Sequence, residues 1–397
     1  MVEWEISNQD IESTEKLLLP DGAHFQEDAR VVIRCWHSTD VAACPGSGKT
    51  TVLLAKLKLL ADRMPFVNGA GICVLSHTNV AVDEIRKRLS GYADKLLRYP
   101  NYIGTIQSFV DKFVTMPYLR NITGRNVQAV DNLTYAQHMQ NRMQFSAKYS
   151  ALNCVIEKSF ERGGQFTERL DHTQALYVRD GGALYIGKQK KALAGAETKS
   201  AKQYKALLND LLKIEGIMRY QDAYSYAKTA INDLPEVYTN LFSSRFQYVF
   251  IDEYQDCDDV QRRAIDAIFN STKCTVIKIG DSDQAIYNSS ENETLDWVPQ
   301  GGFLPIMTSC RYSQEIADVI FKLKKEPKSI KTYAGETGVK PILLTFDPEK
   351  VDKVIGKFIN VLETHGLYDN KGVYKAIGAT KKEDLSGLKI GSYWSEF

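Results

Sequence analysis

The sequence has little net charge, no paired cysteine spacing, no signal-like start and no apolar run approaching membrane-spanning length. Each absence excludes a class of protein. With 50 Lys and Arg against 49 Asp and Glu the net charge is +1. No global field therefore marks a nucleic-acid binder, although a local basic groove can sit on a neutral protein. The seven cysteines (Cys35, Cys44, Cys73, Cys154, Cys257, Cys274 and Cys310) are odd in number, scattered and never spaced C-x-x-C. A disulfide framework or a zinc site is not expected, and a reducing, cytoplasmic setting is the simplest. The start carries Glu3, Glu5, Glu12 and Glu15 where a leader would be basic and then apolar. No membrane partner is expected. There is no low-complexity tract and no internal repeat. What remains is an ordinary globular composition, and 397 residues suffice for two or three domains.

Several segments read as strand, loop and helix in succession. Val41-Ala42-Ala43 runs into a glycine loop followed by a helical stretch at 51–60. Gly71–Ser76 is a short apolar strand with a helix expected at 81–89. Phe246–Ile251 and 274–279 are β-prone runs that end in acid and in Gly280-Asp281. Strands alternating with helices point to a mostly parallel, doubly wound sheet, in which ligands bind at the carboxyl ends of strands. Residues 120–235 differ: they are polar, rich in Tyr, Gln and Lys, and helical in pattern, as an inserted helical subdomain would be. From about 302 a new α/β pattern starts, with strands expected at 341–346 and 373–379 and a helix at about 350–365.

The strongest local signal is Ala43-Cys44-Pro45-Gly46-Ser47-Gly48-Lys49-Thr50. Gly46 and Gly48 allow the tight turn that aims successive N–H groups at one anion, beside a helix N-terminus. Lys49 can reach β- and γ-phosphates, and the Thr50 hydroxyl suits Mg2+. Thr51 extends the candidate contact set. Only Ala43 departs from the phosphate-loop signature, standing where its first glycine would be. The second signal is Tyr248-Val249-Phe250-Ile251-Asp252-Glu253. An aspartate at a buried strand end can hold Mg2+, and the adjacent glutamate can orient and deprotonate water. Alone this run equally fits a solvated strand end; paired with the glycine loop it reads as an ATP-hydrolysis site.

Asp252-Glu253-Tyr254-Gln255-Asp256 closely resembles motif II of the superfamily 1 helicases of the UvrD/Rep/PcrA type. Ala43–Thr50 looks like their motif I, and Leu75-Ser76-His77-Thr78-Asn79-Val80-Ala81-Val82-Asp83-Glu84-Ile85 like motif Ia. Gly104-Thr105-Ile106-Gln107-Ser108-Phe109 is similar to motif Ib. Gly280-Asp281-Ser282-Asp283-Gln284-Ala285-Ile286-Tyr287 is similar to motif III, and Ser309-Cys310-Arg311-Tyr312-Ser313 to motif IV. Six motifs stand in order over roughly residues 26–316. The resemblance implies an α/β, RecA-like P-loop NTPase with a parallel doubly wound sheet, a helical insertion and a partial second α/β lobe. The expected domains are 1–119 plus 236–301 for the ATP-binding lobe, 120–235 for the insertion and 302–397 for the partial second lobe.

Roles follow from the resemblance residue by residue. Lys49 and Thr50 would bind phosphate and Mg2+, Asp252 would hold the ion and Glu253 would activate water. Gln284 would sense the γ-phosphate, and Arg311 would reach it as an internal arginine finger. Gln255 is expected near the nucleotide or as a strand-end cap. Gln26 is the candidate adenine reader, although a gap-free count from Lys49 lands on Asp28. On the nucleic-acid side, Asn79, Thr105 and Gln107 would meet phosphates or sugars, His77 and Phe109 would pack beside bases, and Thr78 and Tyr287 complete the candidate contacts. For Phe109, core packing stands as the equal alternative. The lysines 188, 190, 191, 199, 202 and 205 form a basic run, either a solvated helix face or a backbone-tracking patch. Tyr220-Gln221-Asp222-Ala223 resembles a family segment ahead of motif II or is an ordinary helix face.

The sequence departs from the family in two places. Asn288-Ser289-Ser290 follows Tyr287 where an aromatic and an arginine are usual, with Trp297 as the substitute aromatic. Motifs V and VI do not occur before Phe397, and truncation is the favoured explanation. The resemblance implies an ATP-dependent DNA helicase or translocase moving 3′ to 5′, using ATP and Mg2+ on single-stranded or partly duplex DNA. Its expected setting is DNA repair, replication or anti-phage defence, with a partner nuclease or repair protein. The alternative is an ATP- and DNA-binding regulatory subunit that does not unwind and controls a partner nuclease. A P-loop NTPase unrelated to DNA is disfavoured by the glutamines of motifs II and III.

Overall fold

Six β-prone runs pair into one parallel sheet: β1 (Thr39–Ala43), β2 (Gly71–Ser76), β3 (Tyr102–Thr105), β4 (Phe246–Ile251), β5 (Thr275–Gly280) and β6 (Leu304–Ile306), in the order β6-β1-β5-β4-β2-β3. The computed structural model describes residues 5–162, 166, 168–179, 181–187, 189–269, 274–285, 297–323, 329–375 and 390–393. Every residue of β2 and nearly every residue of β4 is buried. Central strands covered on both faces read as continuous apolar runs rather than alternating ones, which is why these two were legible as strands.

Parallel pairing brings the carboxyl ends to one edge. Ala42 stands opposite Gly280, Leu75 opposite Ile251 and Ser76 opposite Thr105. From β1 to β2 is three strand spacings, about 14 Å. The ends of β1, β4 and β5 therefore form one neighbourhood and the ends of β2 and β3 another, on the same edge.

Helix α1 (Asn8–Leu18) opens on a capping box between Ser7 and Asp10. Helix α2 is Glu27–Arg34, and α3, Lys49–Asp62, follows the glycine loop. From Val52 to Ala61 α3 is buried on every side, Lys56 included. The Lys56 Nζ donates to the carbonyls of Val32 (2.8 Å), Ile33 (3.3 Å) and Cys35, and lies 4.0 Å from the Trp36 ring centre. Burial lowers its pKa to about 7. A lysine here satisfies the end carbonyls of α2, so it ties α2 to the phosphate-loop helix. Helix α4 is Val80–Arg88; α5, Ile106–Val110, runs through a π-helical turn at Asp111–Thr115 into Met116–Thr123.

Between the two halves of the sheet, helices Asn132–Phe145, Ser150–Glu161, Arg169–Gln174 and Lys199–Asp210 pack with the hairpin Leu176–Val178/Leu184–Ile186. They share a core around Tyr135, Met139, Leu152, Tyr204 and Leu207, distinct from the cores on the two faces of the main sheet. Among the described residues no helix is long and apolar enough to cross a membrane.

The chain divides into two compact units, Met1–Ala43 with Gly48–Ile306, and Cys44–Ser47 with Met307–Phe397. In the second, Thr308–Ser309 pairs with Lys331–Thr332, and Cys44 is buried with Ala317 and Ile330. The strand expected at 341–346 does not form: the segment belongs to no ladder, and Leu343 is 87% exposed. Its apolar run lacks a partner strand to bury it among the described residues. Residues 373–375 are likewise outside any strand, and 376–379 lie outside the described residues. The expected helix is Val354–Thr364, preceded by a 3-10 turn at Pro348–Lys353 in which Lys350 leaves helical backbone geometry.

Candidate active site and a cleft on the same sheet edge

The phosphate-loop signature begins inside β1, because Ala43 is a buried strand residue paired with Ile306. Extended backbone makes no demand for glycine, which accounts for alanine at that position. The demand comes later. Gly46 (φ 76°) and Gly48 (φ 81°) lie in the left-handed region. A Cβ on Gly46 would stand 2.6 Å from both the Arg311 Cβ and the Ser309 Oγ. In that unit the Cys310 N–H donates to the Gly46 carbonyl (2.9 Å), and the Arg311 N–H to the Ser309 Oγ (3.3 Å). The segment of Arg311 is thus packed against Gly46 within the second unit. The Ser47 Oγ is buried with no hydrogen-bond partner among the described residues. An orphaned hydroxyl beside two left-handed glycines fits an anion cradle and the phosphates of a nucleotide.

Gly48 caps α3, whose first turn carries Lys49, Thr50 and Thr51. The Thr51 hydroxyl accepts from Arg88 Nη1 (3.1 Å), while Arg88 Nη2 donates to the Leu18 carbonyl (2.9 Å). Arg88 carried no sequence signal, standing among three basic residues at the end of α4.

Asp252 sits at the end of β4, buried, with its N–H continuing the ladder onto the Leu75 carbonyl (2.8 Å). Burial, and then the neighbouring Glu253 charge, raise its carboxyl pKa to about 6, opposed by Lys49. A carboxyl held against ionisation in this way gains from a divalent cation, which favours the charged form. Thr50 and Asp252 supply the hard oxygen donors that Mg2+ takes. Glu253 is the one non-glycine residue with positive φ (52°) among the described residues, a strained position of the kind that clusters at functional sites. Its Oε2 lies 3.2 Å from Lys49 Nζ and accepts from Gln255 Nε2 (2.7 Å).

Gln284 closes a 3-10 turn at the end of β5, its N–H donating to the Asp281 carbonyl (3.0 Å). Tyr287, with Ile286 and 288–290, lies outside the described residues. Gln26 caps the start of α2 and reaches the His24 carbonyl at a long 3.4 Å.

At the ends of β2 and β3 a cleft of about 770 Å³ is lined by Ser76, His77, Thr105, Gln107, Asp111, Lys112 and Tyr220, among others. The structure thus brings His77, Thr105 and Gln107 of motifs Ia and Ib to one place. Thr105 caps α5 through the Ser108 N–H, and Gln107 Nε2 donates to both Asp111 oxygens (2.8 and 2.9 Å). Burial raises the Asp111 pKa to about 6, with Gln107 opposing. Thr78 and Asn79 are exposed at the start of α4. Asp111 and Lys112 also line the cleft without having been singled out in the sequence, and Ser76 was there only as part of motif Ia; the spacing of four from Gln107 to Asp111 was the available cue. A second cleft of about 840 Å³ shares Lys112 and Met116 with the first and includes Arg120.

Two aromatic expectations are corrected. Phe109 is 1% exposed and packs among Tyr102, Phe113, Phe242, Phe246 and Phe269 at 5.1–6.2 Å between ring centres, so its ring belongs to the core and has no face for a base. Trp297 is buried edge-on to Tyr254 (5.7 Å) and is no stacking platform either. Of the basic run, Lys190, Lys191, Lys199, Lys202 and Lys205 are exposed, with Lys202 paired to Glu197 (2.8 Å); Lys188 lies outside the described residues.

Comparison with known proteins agrees with this geometry. Residues 26–293 match the UvrD/REP helicase N-terminal domain. The chain is 25% identical over 327 residues to the Gabija protein GajB of Bacillus cereus, covering 78% of this chain and 53% of that one. It is 22% identical over 253 residues to a probable DNA helicase II homolog of Mycoplasma capricolum (62% and 32%). To the ATP-dependent DNA helicase PcrA of Staphylococcus epidermidis it is 24% identical over 249 residues (62% and 31%). It therefore spans about half or less of these relatives. The sheet is that of an α/β, RecA-like fold, and the chain belongs to the UvrD/REP helicase N-terminal domain family.

Proposed function

We propose that this chain is an ATP-driven motor of the UvrD/Rep class that moves 3′ to 5′ on single-stranded DNA, with hydrolysis stimulated by the strand. The observation that carries the reading is the contact of Lys49 Nζ with Glu253 Oε2 at 3.2 Å, beside a buried Asp252. It supports the reading because a cation suited to phosphate stands beside one carboxylate suited to orienting water and another suited to a metal ion.

Lys49 and the backbone N–H groups of the loop through Gly46 and Gly48 hold the β- and γ-phosphates of ATP. Lys49 exchanges its contact with Glu253 for phosphate oxygen, which releases the carboxylate to orient water and accept its proton. Thr50 and Asp252 would hold Mg2+, which when bound would supply charge to neutralise the phosphate oxygens. Gln284 reads the γ-phosphate and Arg311 stabilises the charge that spreads over it. The cleft at the ends of β2 and β3 takes the strand. Asn79, Thr105 and Gln107 meet its phosphates and sugars, His77 packs beside bases and Thr78 joins these contacts, with Lys112 adding charge. DNA repair, replication or anti-phage defence are the settings such a motor serves, with a nuclease or repair protein as its partner.

The test is the ATPase rate with and without single-stranded DNA over a range of salt, together with strand displacement. Stimulation that weakens with salt, with displacement, supports the motor. Binding or stimulation without displacement assigns the chain instead to a regulatory subunit. No effect of DNA at any salt sinks both.

A further inference from the structure

Gln255 joins the two strand-end motifs. It is 1% exposed, yet its side-chain amide is used at both ends: Nε2 donates to Glu253 Oε2 (2.7 Å) and Oε1 accepts from the Asp281 N–H (2.9 Å). The orientation of the amide is determined, because a backbone N–H only donates and a carboxylate only accepts. The space is closed as well. A Cβ on Gly280 would stand 2.6 Å from Gln255 Oε1 and 2.6 Å from the Trp297 ring. Arg262 Nη2 donates to the Gln255 carbonyl (3.2 Å), so backbone and side chain are both fixed.

The bonds make a continuous series. The Gln284 N–H donates to the Asp281 carbonyl, the Asp281 N–H to Gln255 Oε1, and Gln255 Nε2 to the Glu253 oxygen that also meets Lys49. We infer that Gln255 is a positioning residue that sets the orientation of Glu253 according to the state of the 281–284 turn. The inference rests on the reading of Glu253 as the group that activates water. When Lys49 turns to phosphate, Gln255 keeps hold of Oε2 and stops the carboxylate from swinging away. When the turn shifts, the Asp281 N–H pulls on the same amide and moves the carboxylate with it. Gln255 acts through Glu253, the partner of its amide nitrogen.

Two substitutions on the full chain test this. Gln255→Glu keeps an acceptor for the Asp281 N–H but has no donor for Glu253; Gln255→Leu removes both bonds. Steady-state hydrolysis is measured with and without single-stranded DNA, alongside fluorescent-nucleotide binding and thermal melting. The expected result for Gln255→Glu is a KM and nucleotide Kd within about twofold of wild type, a DNA-saturated kcat at least tenfold lower, and stimulation by DNA reduced towards one. Gln255→Leu shows the same split with a lower Tm. Wild-type kcat and stimulation in Gln255→Glu overturn the inference. So does a joint fall of affinity, Tm and kcat in both variants, which is what a purely structural amide would give. The wild-type arm judges the motor reading separately. Hydrolysis without DNA stimulation sinks that reading, and the basal kcat-against-KM split still decides on Gln255. No hydrolysis at all overturns both.

Discussion

Lys49 Nζ and Glu253 Oε2 stand 3.2 Å apart, so the cation proposed for the phosphates and the carboxylate proposed for the water neutralise each other. The carboxylate competes with phosphate for the same ammonium. Glu253→Gln removes that competitor and one negative charge while keeping an amide of the same shape. ATP affinity is expected to hold or tighten, by up to about fivefold given the worth of a half-exposed ion pair. Turnover should fall by roughly two orders of magnitude or more. Lys49→Ala should lose nucleotide binding. Nucleotide titration and single-turnover hydrolysis check the set, and appreciable hydrolysis by purified Glu253→Gln would refute the assigned base.

Asp252 gives a pH dependence of definite sign. Its folded pKa of about 6 lies above the ordinary 3.8, so the fold favours the protonated acid. The stability of the wild type then falls as pH rises from about 4 through about 6, by on the order of 2–3 kcal/mol. Asp252→Asn carries no such cost and can still accept from the Glu253 N–H. It should melt higher than wild type at pH 8, an advantage that fades between pH 6 and 4, and it should lose Mg2+-dependent hydrolysis. Excess Mg2+ should raise the wild-type Tm at pH 8 and leave the variant unmoved. A variant less stable than wild type at pH 8 counts against the burial argument.

Ala43→Gly restores the phosphate-loop signature yet is expected to gain nothing. The residue is in a buried strand, where glycine costs about 0.5–1 kcal/mol of chain entropy and packing. Nucleotide affinity should stay within twofold while chemical denaturation shifts to lower urea. A marked gain in affinity would show that the loop begins one residue earlier than described.

Phe109→Leu separates core from contact. Loss of the ring should cost about 1–2 kcal/mol, while the Kd for single-stranded DNA and its salt slope stay within twofold under conditions where the variant is folded. A selective loss of DNA affinity would reopen the case for a ring against the bases.

Four strands of the sheet were legible because their runs are mostly apolar and the acids and glycines that follow break the pattern abruptly; the short edge strands β3 and β6 carried no such signal. The nucleotide half of the site was legible for a related reason: Gly46, Gly48 and Lys49 are contiguous, so local chain geometry alone positions them. The cleft was harder. His77, Thr105 and Gln107 meet only because β2 and β3 pair in register, and no local spacing reports that pairing. Phe109 looks the same in sequence whether it faces a groove or a core; the five rings around it come from segments as distant as Phe242 and Phe269. Gln255 was visible as a motif residue, but its second bond depends on the adjacency of β4 and β5. The apolar run at 341–346 misled for the opposite reason, since strand propensity counts only where a neighbouring strand can bury it.

Beneath the cleft, the rings of Tyr102, Phe109, Phe113, Phe242, Phe246 and Phe269 bind helix α5 and the turn after it to the starts of β3 and β4. A polymer drawn across residues 105–108 therefore bears on a footing with little slack. Interlocked rings yield far less than a loop would, so on the proposed reading a pull of one nucleotide would pass to the sheet as load instead of being absorbed as local give. The motor proposed above would need such an anvil to advance in small steps, and it would be made around the aromatic residue that the sequence offered as a grip.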